Sequence, residues 1–300
     1  MLTGVHFLLT YTCNFECDHC FLYCSPWSQG TFTISQVTDV LEESKKIGTV
    51  DWVYFEGGEP FLYFPLLVES VRRAQEKDFQ VGVVTNAYGA LAEEDAALWL
   101  KPLAEAGMSY ISISNDALHY GDQEATPAAI AIQVAGQLGI ANAPICIEEP
   151  EVEVHHGGSI EKGHPVIGGD VKFRGRAVEK LVGNLPRRPI DKLCECPYED
   201  LVSPSRVHVD AYGNVQICQG ISMGNCLKTP LSELVQNYDA QKHPICGPLV
   251  RGGPAGLARE YGLDLEDEYV DECHLCYAAR LALIDRFPEH LAPRQVYGLE

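Results

Sequence analysis

The first half of the chain alternates short β-rich apolar runs with amphipathic stretches at helical spacing, the pattern of parallel strands joined by crossover helices. It predicts strands at Val5–Thr10, Trp52–Glu56, Val81–Thr85, Tyr110–Ser114, Pro144–Glu148 and Asp170–Arg174. Helices are expected between them, near Ser35–Ile47, Pro65–Lys77, Ala92–Glu105 and Pro127–Leu138. Six such units predict an α/β fold, a partial (β/α)6 TIM-like barrel, because eight would need more residues than remain before a cysteine-rich tail. The segment 149–169, rich in Gly and His, reads as a long loop before the sixth strand. Near residue 185, Pro and Arg replace the periodic pattern. This divides the chain into a barrel over 1–184 and a small cysteine-rich α+β domain over 185–300. Beyond the boundary, Arg206 to Cys218 reads as a β-hairpin turning at Asp210–Asn214, with Gly213 at the positive-φ position. A short helix follows, with Thr229 as its cap and Pro230 at its first position.

Composition narrows the partners. A formal charge of -20 and a pI near 4.8 exclude a nucleic-acid partner, since phosphate neutralisation needs a basic face. Lys172, Arg174, Arg176, Lys180, Arg187, Arg188 and Lys192 nevertheless fall in one stretch, either a solvated helix face or a local site for an anionic substrate. There is no signal-peptide pattern and no apolar run of about 18 residues, so a cytoplasmic protein without a membrane partner is expected. Twelve cysteines in such a chain point to metal or redox chemistry, not disulfides, and they cluster toward the two ends.

Cys13, Cys17 and Cys20 form a C-x3-C-x2-C triplet directly after the first predicted strand, at the barrel end that carries reactive loops. Three thiolates suit a four-iron cluster that leaves one iron open for a small molecule, because such a cube is otherwise closed by four cysteines. A zinc loop is the plainer alternative. The second predicted strand runs into Gly57-Gly58-Glu59, where glycines let backbone carbonyls approach a ligand ammonium and Glu59 adds charge. Later strand ends supply Thr85 and Asn86, then Ser112, Ser114, Asn115 and Asp116, residues that also serve as ordinary turn formers. His155, His156 and His164 read as solvated loop histidines, and Cys24 and Cys146 as small buried hydrophobes.

The triplet, and the Gly-Gly-Glu turn one βα unit later, resemble the radical S-adenosylmethionine (radical SAM) superfamily. The resemblance spans about residues 5 to 180. It implies that Cys13, Cys17 and Cys20 hold a 4Fe-4S cluster whose open iron takes the amino and carboxylate groups of S-adenosylmethionine. It also implies cofactor contacts from Gly57, Gly58, Glu59, Asn86, Ser114 and Asn115, with Arg174, or alternatively Arg176, as a charged partner for the cofactor carboxylate; a surface salt bridge is the plainer alternative. In the tail, Cys196, Gly213, Cys218 and Cys273-x2-Cys276 resemble the start of SPASM and twitch auxiliary-cluster domains. That likeness implies a second, auxiliary 4Fe-4S cluster on Cys196, Cys218, Cys273 and Cys276. Cys194 in place of Cys196, a role for Cys226 or Cys246, and a four-cysteine zinc site stay open.

The activity implied is reductive cleavage of S-adenosylmethionine to a 5'-deoxyadenosyl radical, which abstracts hydrogen from a substrate C–H. A low-potential electron donor such as flavodoxin or ferredoxin is implied with it. The substrate is a peptide or protein side chain or, alternatively, a small molecule that is oxidised or rearranged. Because the triplet begins at Cys13, a leader-peptide-binding domain fused upstream is not expected. The readings from a different class are a non-catalytic iron-sulfur electron carrier and a zinc-binding interaction module.

Overall fold

A computed structural model describes residues 1–123, 125–150 and 170–299. His155, His156 and His164 lie outside the described residues. Strands β1 (Gly4–Thr10), β2 (Trp52–Gly57), β3 (Gln80–Thr85), β4 (Tyr110–Ser114) and β5 (Ala141–Ile145) lie side by side in that order, all parallel. Helices α1 (Ile34–Ile47), α2 (Phe64–Gln75), α3 (Glu93–Glu105), α4 (Ala117–Tyr120) and α5 (Pro127–Gln137) connect them.

The strands form here because alternate residues can be buried under helices. Val5, Phe7, Val53, Phe55, Val81, Val83, Ile111 and Ile113 pack in one core with Val37, Leu41, Leu67, Val71, Leu100 and Leu103. Each fully buried side chain of this kind contributes roughly 1.5–3 kcal/mol. Local signals set the helix ends. Thr33 accepts from the Gln36 N–H while the Gln36 side chain takes the Thr33 N–H, and Gly48 closes α1 in the left-handed region. Glu93, Glu94 and Asp95 occupy the first turn of α3, where the helix dipole favours negative charge.

The sixth parallel strand is not Asp170–Arg174. That segment is irregular and leads into α6 (Arg176–Lys180), because Gly175, at φ +62°, lies against the backbone of Cys20 and Phe21. A Cβ there would come within 2.7 Å of the Cys20 carbonyl oxygen, so the chain turns against the cysteine loop instead of running along the sheet edge. After the two-residue β6 (Arg188–Pro189), the sixth parallel strand is β7 (Arg206–Asp210), which pairs with the free side of β1. Antiparallel β8 (Asn214–Cys218) and β9 (Ile221–Asn225) extend the same sheet. The predicted hairpin is therefore present, with Gly213 at φ +85°. The sheet runs unbroken across residue 185.

The fifth strand is centred earlier than Pro144–Glu148, where Ala141–Ile145 meets β4 in register from Tyr110↔Ala141 to Ser114↔Ile145. Helix α7 (Leu231–Asn237) starts one residue later than expected: Pro230 takes the N-cap position and Thr229 supplies no cap. Helix α8 (Cys246–Tyr261) kinks at Gly252–Gly253, β10 (Glu268–Tyr269) pairs with β6, and α9 (Glu272–Leu283) packs against α8.

The basic stretch is not one face. Lys172 lies over the Tyr198 ring, Arg174 and Arg176 are buried, and Arg187 and Arg188 pair with Glu266 and Glu272. Among the described residues, no helix is long and apolar enough to cross a membrane.

Candidate functional site

The chain leaves β1 at Thr10 and folds a loop back on itself, with bridges Thr10↔Thr31 and Thr12↔Ser25 and a Cys13 N–H donated to the Ser25 carbonyl at 3.0 Å. This loop holds Cys13, Cys17 and Cys20 at the carboxyl end of the sheet. The Cys20 N–H donates to the Cys17 carbonyl, and the Phe15 and Cys24 N–H groups point at the sulfurs of Cys13 and Cys20, each at 3.4 Å. Burial pushes the Cys13 and Cys17 thiols up to about 12, and the neighbouring cysteines add to it for Cys17. Cys20 is lowered to about 6 by hydrogen bonding from the Cys24 side chain, against the effect of burial. A set of thiols so enclosed becomes thiolate when a cation binds it, and the donor set suits a thiophilic metal.

Gly57 and Gly58 sit where a side chain cannot. A Cβ would come within 2.4 Å of the Thr10 carbonyl oxygen at Gly57, and within 2.2 Å of that of Thr12 at Gly58. The Gly58 and Glu59 N–H groups donate to those same carbonyls, at 2.7 and 2.9 Å, which ties the Gly-Gly-Glu turn to the entrance of the cysteine loop.

The Glu59 carboxyl is fully buried. It accepts from the Phe61 N–H at 2.9 Å, the Thr85 hydroxyl at 2.8 Å and the Asn86 N–H at 2.7 Å, so it joins the ends of β2 and β3. Burial raises it to about 7, against the pull of those hydrogen bonds. Asn86 completes the link, its amide donating to Asn14 Oδ1 at 2.9 Å and reaching Cys13 Sγ at 3.8 Å.

At the end of β4, Ser114 is nearly buried and Asn115 Oδ1 accepts from the Thr126 hydroxyl at 2.7 Å. Asp116 caps α4, accepting from the His119 N–H at 3.0 Å and pairing with its ring at 2.8 Å. Sequence reasoning missed His19, His119 and Tyr120, which wall the triplet. The His19 and His119 rings lie 4.8 Å apart, Phe15 packs edge-on against Tyr120, and the Tyr120 hydroxyl donates to the Asn86 carbonyl. The signal for this wall was the D-x2-H cap after the fourth strand.

A second pocket brings together Cys196, Cys218, Cys273 and Cys276 with Arg174 and Arg280. Arg174 Nη1 donates to Cys218 Sγ at 2.8 Å and its guanidinium lies over Phe21, so the structure places this arginine between the two cysteine sets. Its guanidinium meets a thiol, not the Gly-Gly-Glu turn. Arg176 is the arginine that reaches the first loop, donating to the Cys17 and Cys24 carbonyls, both at 2.8 Å.

Arg280, not anticipated, is almost wholly buried; it donates to the Gln219 carbonyl at 2.7 Å and stacks near Tyr277 and Tyr297. Spacings of three and four residues put Cys273, Cys276 and Arg280 on one face of α9. Buried cations require anionic partners. Arg174 has the Glu199 carboxylate at 3.9 Å, and the further positive charge of two guanidiniums against four thiols fits a pocket whose sulfurs are thiolates on a metal.

Cys194 lies outside this pocket and donates to the Asp191 carbonyl. Cys246 is buried nearby with its thiol pushed up to about 12 by burial, and Cys226 packs against the sheet core. Cys24 is buried as expected. Cys146 is exposed, because the segment after β5 leaves the core.

Fold and site together define an α/β partial-barrel protein with a thiol-lined loop at the carboxyl end of its parallel strands. Residues 7–121, the part of the chain that carries the cysteine triplet and the Gly-Gly-Glu turn, match the family profile of the Radical SAM superfamily. That match supports a 4Fe-4S cluster and S-adenosylmethionine as cofactors. The tungsten-containing aldehyde ferredoxin oxidoreductase cofactor-modifying protein of Pyrococcus furiosus is 30% identical over 111 residues, covering 37% of this chain and 30% of that protein. YydG of Bacillus subtilis, named for peptide biosynthesis, is 25% identical over 255 residues, covering 85% of this chain and 72% of its own length. Among solved structures, BtrN in complex with AdoMet and 2-DOIA shares the fold, with a TM-score of 0.51 at 17% identity over 79% of this chain and 83% of that one. The chain thus spans under a third of the first relative and nearly three quarters of the second.

Proposed function

We propose that this protein is a radical SAM enzyme that abstracts hydrogen from a C–H bond of a peptide or protein side chain. The observation that carries the reading is one continuous network at the ends of β1, β2 and β3: the Gly-Gly-Glu turn docked on Thr10 and Thr12, Glu59 on Asn86, and Asn86 beside Cys13. In this reading Cys13, Cys17 and Cys20 hold the first cluster, and Gly57, Gly58 and Asn86 face the methionyl end of the cofactor. Reduced cluster and S-adenosylmethionine together supply the 5'-deoxyadenosyl radical that takes the hydrogen. Glu59 acts as a positioning group, since its carboxyl oxygens are already engaged. Cys196, Cys218, Cys273 and Cys276 hold an auxiliary 4Fe-4S cluster, with Arg174 and Arg280 balancing its charge.

Similarity to YydG over 85% of the chain supports a peptide substrate. The cofactor-modifying relative supports a small molecule as the second reading. Anaerobic reconstitution is expected to give about eight irons per chain, four for each cubane. With S-adenosylmethionine and a low-potential reductant, 5'-deoxyadenosine should form and should be lost when Cys13, Cys17 and Cys20 are replaced by Ala. Zinc without iron, or iron without 5'-deoxyadenosine, would reject the enzyme. Deuterium transfer from a labelled peptide into 5'-deoxyadenosine separates the two substrate classes.

A further inference from the structure

The sheet order β2-β1-β7 brings together three residues that are far apart in sequence. His6, Glu56 and His208 stand on the face opposite the helices, because their strand neighbours Val5, Phe7, Phe55, Val207 and Val209 fill the helix-packed core. His6 is in register with His208, and Glu56 with Leu8, one step along. Glu56 Oε1 lies 3.2 Å from His6 Nδ1 and 3.2 Å from His208 Nε2, and the three potential ligand atoms all fall within 4.8 Å of one another.

The two 3.2 Å separations suit hydrogen bonds and also match the spacing of ligands on one ion. Metal bonds of about 2.0–2.1 Å at tetrahedral or octahedral angles put neighbouring ligand atoms about 3.0–3.4 Å apart. Two imidazoles and one carboxylate on one side of an ion are the donor set of a three-ligand site with open positions, suited to zinc or iron(II).

The rings are held in place before any ion binds. His6 stacks on Tyr54 at 4.6 Å, and Tyr54 stacks in turn on Trp52 at 5.6 Å. His208 is 5% exposed; its Nδ1 is buried with no hydrogen-bond partner, while its Nε2 faces Glu56 Oε1 at 3.2 Å and the Gln219 side-chain amide at 3.5 Å, contacts that a bound ion would replace. His6 and Glu56 are only partly covered, with side chains 18% and 19% exposed, so an ion here would be reached from their side.

We propose that His6 Nδ1, Glu56 Oε1 and His208 Nε2 form a mononuclear site for a divalent transition metal, separate from both cysteine sets, with its free coordination positions on the partly exposed side of His6 and Glu56. His6 lies four residues, about 13 Å, back along β1 from Thr10. The site does not depend on the proposed activity, and its test does not read turnover.

The protein, carrying its reconstituted iron, is dialysed anaerobically against zinc, then analysed for zinc and iron per chain and by zinc X-ray absorption. One zinc beyond the iron, with nitrogen and oxygen scatterers only, is expected. Glu56→Gln and His208→Gln should keep the wild-type iron content while binding zinc at least about 100-fold more weakly, beyond the loss typical of a supporting residue. Zinc should raise the melting temperature of the wild type and not of these variants. His6→Gln is a third variant, read only if its iron content matches wild type. No additional zinc, zinc with sulfur scatterers, or zinc retained by both Glu56→Gln and His208→Gln would overturn the site.

Discussion

Asp210 offers the sharpest test of how the two halves of the chain are joined. Its fully buried carboxylate accepts from the Tyr212 and Asn214 N–H groups at 2.9 and 3.0 Å, and from Tyr11, Gln216 and Asn214 side chains at 3.0–3.2 Å. Tyr11 leads into Cys13, and Gln216 lies on the strand that ends at Cys218, so one carboxylate links both cysteine segments. Burial raises it from 3.8 to about 6 despite these hydrogen bonds. That difference corresponds to about 3 kcal/mol at about 1.36 kcal/mol per pKa unit.

A raised acid holds its proton more tightly when folded. The stabilisation is therefore complete below about pH 3.8 and is lost as pH rises through about 6. Roughly half of it, about 1.5 kcal/mol, disappears between pH 5 and 7.5. Asp210→Asn keeps the shape and has no proton to lose. Urea unfolding of the iron-loaded proteins should therefore show wild-type stability falling relative to Asp210→Asn by about 1.5 kcal/mol across that window. Parallel pH profiles, or a wild type that gains on the variant, would refute the reasoning.

Other replacements read other parts of the structure. Arg280→Met should lower iron to about four per chain while 5'-deoxyadenosine formation persists, since it removes charge balance from the second pocket only; loss of both iron and product would mean the two cysteine sets are not independent. Gly58→Ala drives a methyl onto the Thr12 carbonyl, and should abolish 5'-deoxyadenosine formation while iron in the tail pocket is kept, as measured by product assay and iron analysis. Thr33→Ala removes the cap of α1 and should cost about 1 kcal/mol in urea unfolding with no effect on iron content.

The sequence was most legible where local pattern and long-range packing agree. Strands β1 to β4 were placed to within a residue because buried parallel strands are apolar and bounded by turn residues, and the triplet and the Gly-Gly-Glu turn lie at their ends. Asp170–Arg174 misled because its alternation resembles a strand, whereas Gly175 packs the segment onto Cys20 and Phe21. Arg174, with Arg176 as the alternative, was assigned to the cofactor carboxylate by its charge. Its direction comes from that same packing, which aims it at Cys218. Arg280 could have been found from its spacing to Cys273 and Cys276. His6, Glu56 and His208 could not, because only the pairing of β1 with both β2 and β7 makes them neighbours.

That pairing limits how the polypeptide can be taken apart. A fragment ending near residue 184 would leave β1, the strand that delivers the triplet, with an unpaired row of amide and carbonyl groups, an open template for pairing with other chains. Transplanting the tail onto another barrel would demand a matching edge in the recipient. The two cysteine segments should thus fold as one unit, even though each holds its metal separately.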